Sequence, residues 1–303
     1  MPLKLDVLAD HCRCNLRATP RPEPQHRALP SIAGGARDAG HYAEAEGLFR
    51  KVLASRLDTL GEAHPTTVAT KMALGVCLHW KADLDGAETM LREVLGQLRK
   101  AHGVRGAETV SAVSALGMVL KDKHEFGEAA LLLREASEVT NEVLGSSHAE
   151  AHICRGNLGG LLKETGDAAA EGVLRQAIDG LKGSLGEGHV ATSASVVNLA
   201  LVMQGKGELT GAEAMLRGAA QASRHSMGAG HPSTQAVFAQ LGALLEAKGD
   251  MQAALEVHSD ALSGFDAPAE ASKRVADRVA ALLQRLGRGA DAEAVLKTHG
   301  VYA

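Results

Sequence analysis

The amino-acid sequence predicts an all-α fold, a right-handed α-solenoid of about six to seven antiparallel helix pairs. Three observations predict it. A sixteen-residue phrase, LGEAHPTTVATKMALG at 60–75, returns as MGAGHPSTQAVFAQLG at 227–242. Apolar residues recur at helical rather than alternating spacing. Aromatic residues make up only 2% of the 303-residue chain although 45% of it is hydrophobic. Core volume must then come from Ala, Leu, Val and Gly, a composition suited to closely approaching helices.

Weaker copies of the phrase fill the gap. They begin at His102 (HGVRGAETVSAVSALG), Leu144 (LGSSHAEAHICRGNLG) and Leu185 (LGEGHVATSASVVNLA), so the steps are 42, 42, 41 and 42. A second ladder runs through Arg50, Arg92, Arg134, Arg175 and Arg217 with the same steps. A third runs through Glu46, Glu88, Ala130, Glu171 and Glu213. The one-residue deletion falls between Gly159 and Arg175 in all three. A constant step of this size is the signature of stacked helical hairpins.

Each unit reads as two helices. Pro65 suits a first helical turn, where its missing N–H is no loss. Val68, Met72, Val76 and Leu78 then recur at helical spacing, and the helix is expected to stop near Lys81–Asp83. The equivalent turns are ETGD (164–167), GKGE (205–208) and AKGD (247–250), where Gly supplies a left-handed residue and the acid favours the next N-terminus. The second helix is expected from about Asp85 to Arg99, with Ala87, Met90, Leu91, Val94, Leu95 and Leu98 on one stripe. The repeated phrase is thus the joint between units: a helix stop at Gly, a turn, a start near His-Pro, and a small packing residue (Gly75, Gly117, Gly159, Ala200, Gly242). Residues 1–37, with Pro20, Pro22, Pro24 and Pro30, are expected to be an irregular extension and 38–299 the repeat array. Its last unit, 268–299, is irregular: FDAPAEASKR (265–274) has lost the joint, and a terminal helix pair follows.

LGEAHPTT (60–67), GHYAEAEGLFRKVL (40–53) and NLALVMQGKGELTGAEAMLRGAA (198–220) resemble the tetratricopeptide repeat family, in its 42-residue branch found in kinesin light chains. The resemblance spans about residues 38–298. It departs at Leu78, Leu120, Leu162, Met203 and Leu245, where the family has Tyr, and at Gly106, where it has His. No heptads precede residue 38, so the motor-binding coiled coil is not carried over.

The resemblance implies a protein or peptide partner held in a concave groove lined by first helices. Asn157 and Asn198 match the family position that grips bound peptide, and Gln240 occupies the same place; Ala73 and Ala115 do not match it. Asparagine both donates to and accepts from a peptide bond. Lys121, Lys163 and Gln204 stand six residues further along and are expected to face the same channel. Trp80, the only tryptophan, is either a core filler or a ligand clamp.

Catalysis finds no footing. GxSxG, HExxH and a Walker A phosphate loop are all missing. His64, His148, His189 and His231 lie one repeat or more apart and read as turn residues, not metal ligands. His11-Cys12-Arg13-Cys14 lacks zinc-site spacing. No cofactor is expected. A net charge of −4 gives no footprint for nucleic acid, and no apolar run is long enough for membrane insertion. Four scattered cysteines fit a reducing, cytoplasmic setting. Arg13, Arg17, Arg21 and Arg27 lend the first thirty residues some transit-peptide character, which Asp6 and Asp10 oppose. The leading reading is a non-enzymatic interaction scaffold or adaptor. The alternatives are a structural subunit of a large assembly and a regulatory repeat segment of a longer enzyme or signalling ATPase.

Overall fold

A computed structural model of the chain describes residues 41–265 and 270–299. The expected extension over 1–37, with Cys12 and Cys14, lies outside them. Among the described residues there are thirteen α-helices and no strand. They are α1 (His41–Leu60), α2 (Pro65–Trp80), α3 (Leu84–His102), α4 (Ala107–Asp122), α5 (Phe126–Leu144), α6 (Ala149–Glu164) and α7 (Ala170–Leu185). There follow α8 (Val190–Gly205), α9 (Leu209–Met227), α10 (Pro232–Ala247), α11 (Met251–Leu262), α12 (Glu270–Arg285) and α13 (Gly289–Thr298). α1 is a second helix without a described mate, and six pairs follow it. The chain divides into two compact units at Gly180 and Leu181. The first holds α1 to α6 and most of α7, and the second holds α8 to α13.

The joints repeat at atomic level. His64, His148, His189 and His231 are N-caps with extended backbone. Each ring Nδ1 accepts the backbone N–H two residues on, from Thr66 at 3.3 Å and from Glu150, Ala191 and Ser233 at 3.2 Å. That satisfies one of the four donors a helix start leaves unpaired. The recurring histidine is therefore a cap. Gly106, which replaces it before α4, makes no side-chain cap bond.

The turn inside each pair needs one left-handed residue. Gly166, Gly207 and Gly249 supply it with φ of 69°, 81° and 82°. In the first two pairs Ala82 and His124 take the same conformation at φ 67° and 63°. A side chain there costs about 1–2 kcal/mol. His124 recovers part of it with an edge-on contact to Phe126, ring centres 5.5 Å apart.

Small residues on first helices receive knobs from second helices. A Cβ at Gly75 would lie 3.0 Å from the Leu91 side chain, one at Gly117 2.8 Å from Leu133, and one at Gly159 2.7 Å from Leu174. Leu91, Leu133 and Leu174 are fully buried, each contributing about 1.5–3 kcal/mol. This close approach is why the core needs few aromatic rings. The scaffold is also tied from one repeat to the next on its surface. Lys81 bonds to Glu46, Lys123 to Glu88, and Lys248 to Glu213. Where the ladder carries Ala130 in place of Glu, the position facing it in this register is Thr165 rather than Lys.

Candidate functional site

The first helices α2, α4 and α6 neighbour one another in the first unit, as do α8 and α10 in the second. This follows from stacking: a hairpin can bury its apolar stripe only by lying against the next hairpin, first helix beside first helix. These helices are mostly apolar; some of their polar side chains, such as Thr70, Ser111 and Ser195, bond to a carbonyl of their own helix, and others pair across helices or keep free capacity.

In the first unit the polar side chains are largely paired. Asn157 is half-buried, and its Nδ2 donates to Ser114 Oγ of α4 at 3.2 Å. Its carbonyl oxygen accepts no hydrogen bond among the described residues, so the carboxamide is only partly committed. Lys121 is buried, with its ammonium 3.9 Å from Asp122. Lys163 is half-buried and pairs with Glu164 at 2.9 Å. Both lysines thus stand beside carboxylates that reduce their reach for a ligand charge.

Two further polar clusters were not singled out from sequence. His79 of α2 meets Asp122 of α4 at 2.8 Å, with side chains only 3% and 8% exposed. His79 Nδ1 and Trp80 Nε1 are buried without a hydrogen-bond partner among the described residues. Trp80 leans on Tyr42 of α1, ring centres 5.9 Å apart and tilted by 50°, which makes it part of the packing between α1 and α2. Lys71, 5% exposed, donates to Glu62 and Glu93. Burial works against its charge, but the two carboxylates outweigh that and hold its pKa above the usual lysine range.

The second unit differs. Asn198 is half-buried on α8 and its carboxamide has no hydrogen-bond partner among the described residues. Gln240 of α10 donates to Gln204 of α8 at 3.3 Å, so those two amides hold each other and each keeps spare donors and acceptors. Glu246 stands one repeat beyond Gln204. It accepts from Arg278 of α12 at 2.8 Å and lies 3.4 Å from the His258 ring of α11.

His79, Lys121, Lys163, Gln204 and Glu246 therefore occupy one repeat position. The sequence carries that signal, because extending the lysine and glutamine ladder by one period in each direction reaches His79 and Glu246. What the ladder does not carry is the partner: Ser114, Asp122 and Arg278 sit at other positions of the period.

The described residues offer little for covalent or metal chemistry. Burial pushes the Cys77 thiol up to about 11 and the Cys154 thiol up to about 12, so neither is a thiolate nucleophile. No group of three metal-binding side chains occurs among the described residues. No described helix is long and apolar enough to cross a membrane.

Comparison with known proteins adds the family. Two sequence profiles described as tetratricopeptide repeat match the chain, one over residues 189–267 and one over 31–66 and 109–150. Together they cover more than half of it. No curated protein matches the chain. Among solved structures it is similar to a putative kinesin light chain of Podospora anserina with nearly identical TPR-like repeats. That match has a TM-score of 0.50 and 18% identity over 75% of this chain and 98% of the other. BtubC (BKLC) from P. vanneervenii matches with a TM-score of 0.53 and 16% identity, covering 83% of this chain and 91% of that one. NprR, solved in complex with its cognate peptide NprX, matches at 0.50 with 13% identity over 91% and 77%. At these identities the likeness is one of fold.

Proposed function

Because the chain belongs to the tetratricopeptide repeat family, with repeats resembling those of kinesin light chains, we propose that it is a non-enzymatic adaptor that holds an extended peptide from a protein partner along its first helices. The observation that carries this reading is Asn198: a half-buried carboxamide on a first helix with no hydrogen-bond partner among the described residues. An amide in that setting is suited to a peptide bond, to which it can both donate and accept. Asn157, Gln204 and Gln240 supply further amide groups at the same or the neighbouring repeat position. Lys121 and Lys163 are assigned a lesser part, because each has a carboxylate beside it. That NprR has been solved with a peptide supports a peptide as ligand for a fold of this kind.

A single motif of this size is held at about micromolar affinity, roughly −8 kcal/mol. The partner is a protein rather than nucleic acid, in keeping with a net charge of −4, and the setting is cytoplasmic. The test starts from a displayed random-peptide library selected on the full chain. A selected peptide is then titrated into wild type and into the double variant Asn157→Ala, Asn198→Ala. Each lost neutral hydrogen bond is worth about 0.5–1.5 kcal/mol, so the double variant binds about tenfold more weakly with unchanged helicity. Equal affinity, or a library that yields no binder, overturns the reading.

A further inference from the structure

Position 258 is the knob position of the second helix. Its equivalents are Phe49, Leu91, Leu133, Leu174 and Leu216, and in the first unit Leu91, Leu133 and Leu174 fill the notch over Gly75, Gly117 and Gly159. Histidine takes the place only in α11, where His258 sits over Gly242 of α10 so closely that a Cβ there would overlap the ring. A titratable group has been set into the apolar seam.

Its surroundings are specific. The ring is 6% exposed. Its Nε2 has no hydrogen-bond partner among the described residues and lies 3.4 Å from Glu246 Oε1. The same oxygen accepts Arg278 Nε at 2.8 Å, and Arg285 Nη1 stands 3.7 Å from the other carboxylate oxygen. Glu246 belongs to α10, Arg278 and Arg285 to α12, and α12 packs on α11. Glu246 and Arg278 are the charges that act on the ring, and Arg285 stands at the other oxygen of the same carboxylate.

We propose that His258, Glu246 and Arg278 form a proton-operated latch on the terminal helix pair α12–α13. With the ring neutral, Glu246 is free to hold Arg278 and so to hold α12 to α10. A proton on the ring creates a buried cation that competes with Arg278 for the same carboxylate oxygen. Opening of α12 lets the charged ring reach water, so acid favours the open state. Burial depresses the pKa of His258, the largest influence on it; Glu246 pushes it up and Arg278 pushes it down. For a group depressed in the closed state, stability is complete above the ordinary imidazole value of about 6.5. It is lost as the pH falls from there through the depressed closed-state value. The latch stands independently of any peptide ligand.

Hydrogen exchange of α12 and α13 in the full chain, expressed as protection factors, tests it at pH 7.5 and at steps down to about 5.5. In wild type, protection of residues 270–298 falls by up to about tenfold per pH unit once below about 6.5. His258→Leu installs the residue that the other repeats use over glycine, and it makes protection of these helices independent of pH over the window. Glu246→Gln loosens the same helices already at pH 7.5, by about fivefold. Unchanged pH dependence in His258→Leu overturns the titrating role of the ring. Unchanged protection in Glu246→Gln at pH 7.5 overturns the role of the carboxylate.

Discussion

The first helices of the two units carry similar polar residues and use them differently. In the first unit Asn157 is bound to Ser114, His79 to Asp122, and Lys71 to Glu62 and Glu93. In the second, Asn198 has no hydrogen-bond partner among the described residues, and Gln204 and Gln240 share one long hydrogen bond. A buried polar group must be paired or it costs stability. The first unit therefore puts its polar residues into joining helices, whereas the second leaves amide capacity for something else. The lesson is that matching side chains at one repeat position do not have matching roles. The neighbour one helix away decides.

The largest effect that can break this comparison is expected at Asp122. Asp122→Ala leaves His79 buried without its carboxylate, at a cost of about 2–3 kcal/mol. Gln204→Ala removes only a half-buried, 3.3 Å contact and costs at most about 1 kcal/mol. Urea unfolding of the two variants separates them; equal losses would dissolve the distinction between a paired and an open face.

A second contrast is with pH. His152 of α6 lies over Gly180 of α7 and accepts Arg155 Nη1 at 3.1 Å on Nδ1. Burial first, then the charges of Arg155 and His148, lower its pKa. Because the folded value lies below the unfolded one, its contribution is complete above about pH 6.5. It is lost at up to about 1.4 kcal/mol per pH unit as the pH falls through the folded value. His152→Val, the residue found at Val68 and Val110, is expected to flatten that part of the stability–pH curve. Thermal melts between pH 5 and 8 check it, and a curve as steep as wild type would contradict it.

The smallest effects concern the turns. Gly249→Ala puts a side chain at φ 82° and is expected to cost about 1 kcal/mol. Ala82→Gly relieves the same strain in the first unit, but glycine adds about 0.4–1 kcal/mol of unfolded-state freedom. The net gain is about 0.5 kcal/mol. Midpoints in urea read both, and a destabilised Ala82→Gly would mean that the left-handed turn carries no strain.

Much of the fold was legible because the period is. Three ladders in phase located the helices, the joints and the glycine notches, and even the deletion near Gly159. The candidate site was less legible for a geometric reason. A repeat aligns residues 42 apart, but side chains of neighbouring repeats do not meet at that spacing. His79 meets Asp122 and Asn157 meets Ser114 at 43 residues; Arg92 meets Glu128 and Arg99 meets Glu135 at 36. Reading equivalent positions therefore identifies Asn157 and Asn198 as a pair, yet cannot tell that one has a serine within reach and the other has not. The histidine knob shows the same limit. His258 stands at a leucine position in plain view, but Glu246 and Arg278 come to it from two other helices.

The most direct measurement is of the side-chain amides themselves. Nitrogen-15 labelled protein is titrated with a library-selected peptide while the NH2 resonances of Asn157, Asn198, Gln204 and Gln240 are followed. Asn198 is expected to shift most and to saturate with the binding curve, with Gln204 and Gln240 following. Shifts confined to second helices such as α9 and α11, with Asn198 unmoved, would contradict it.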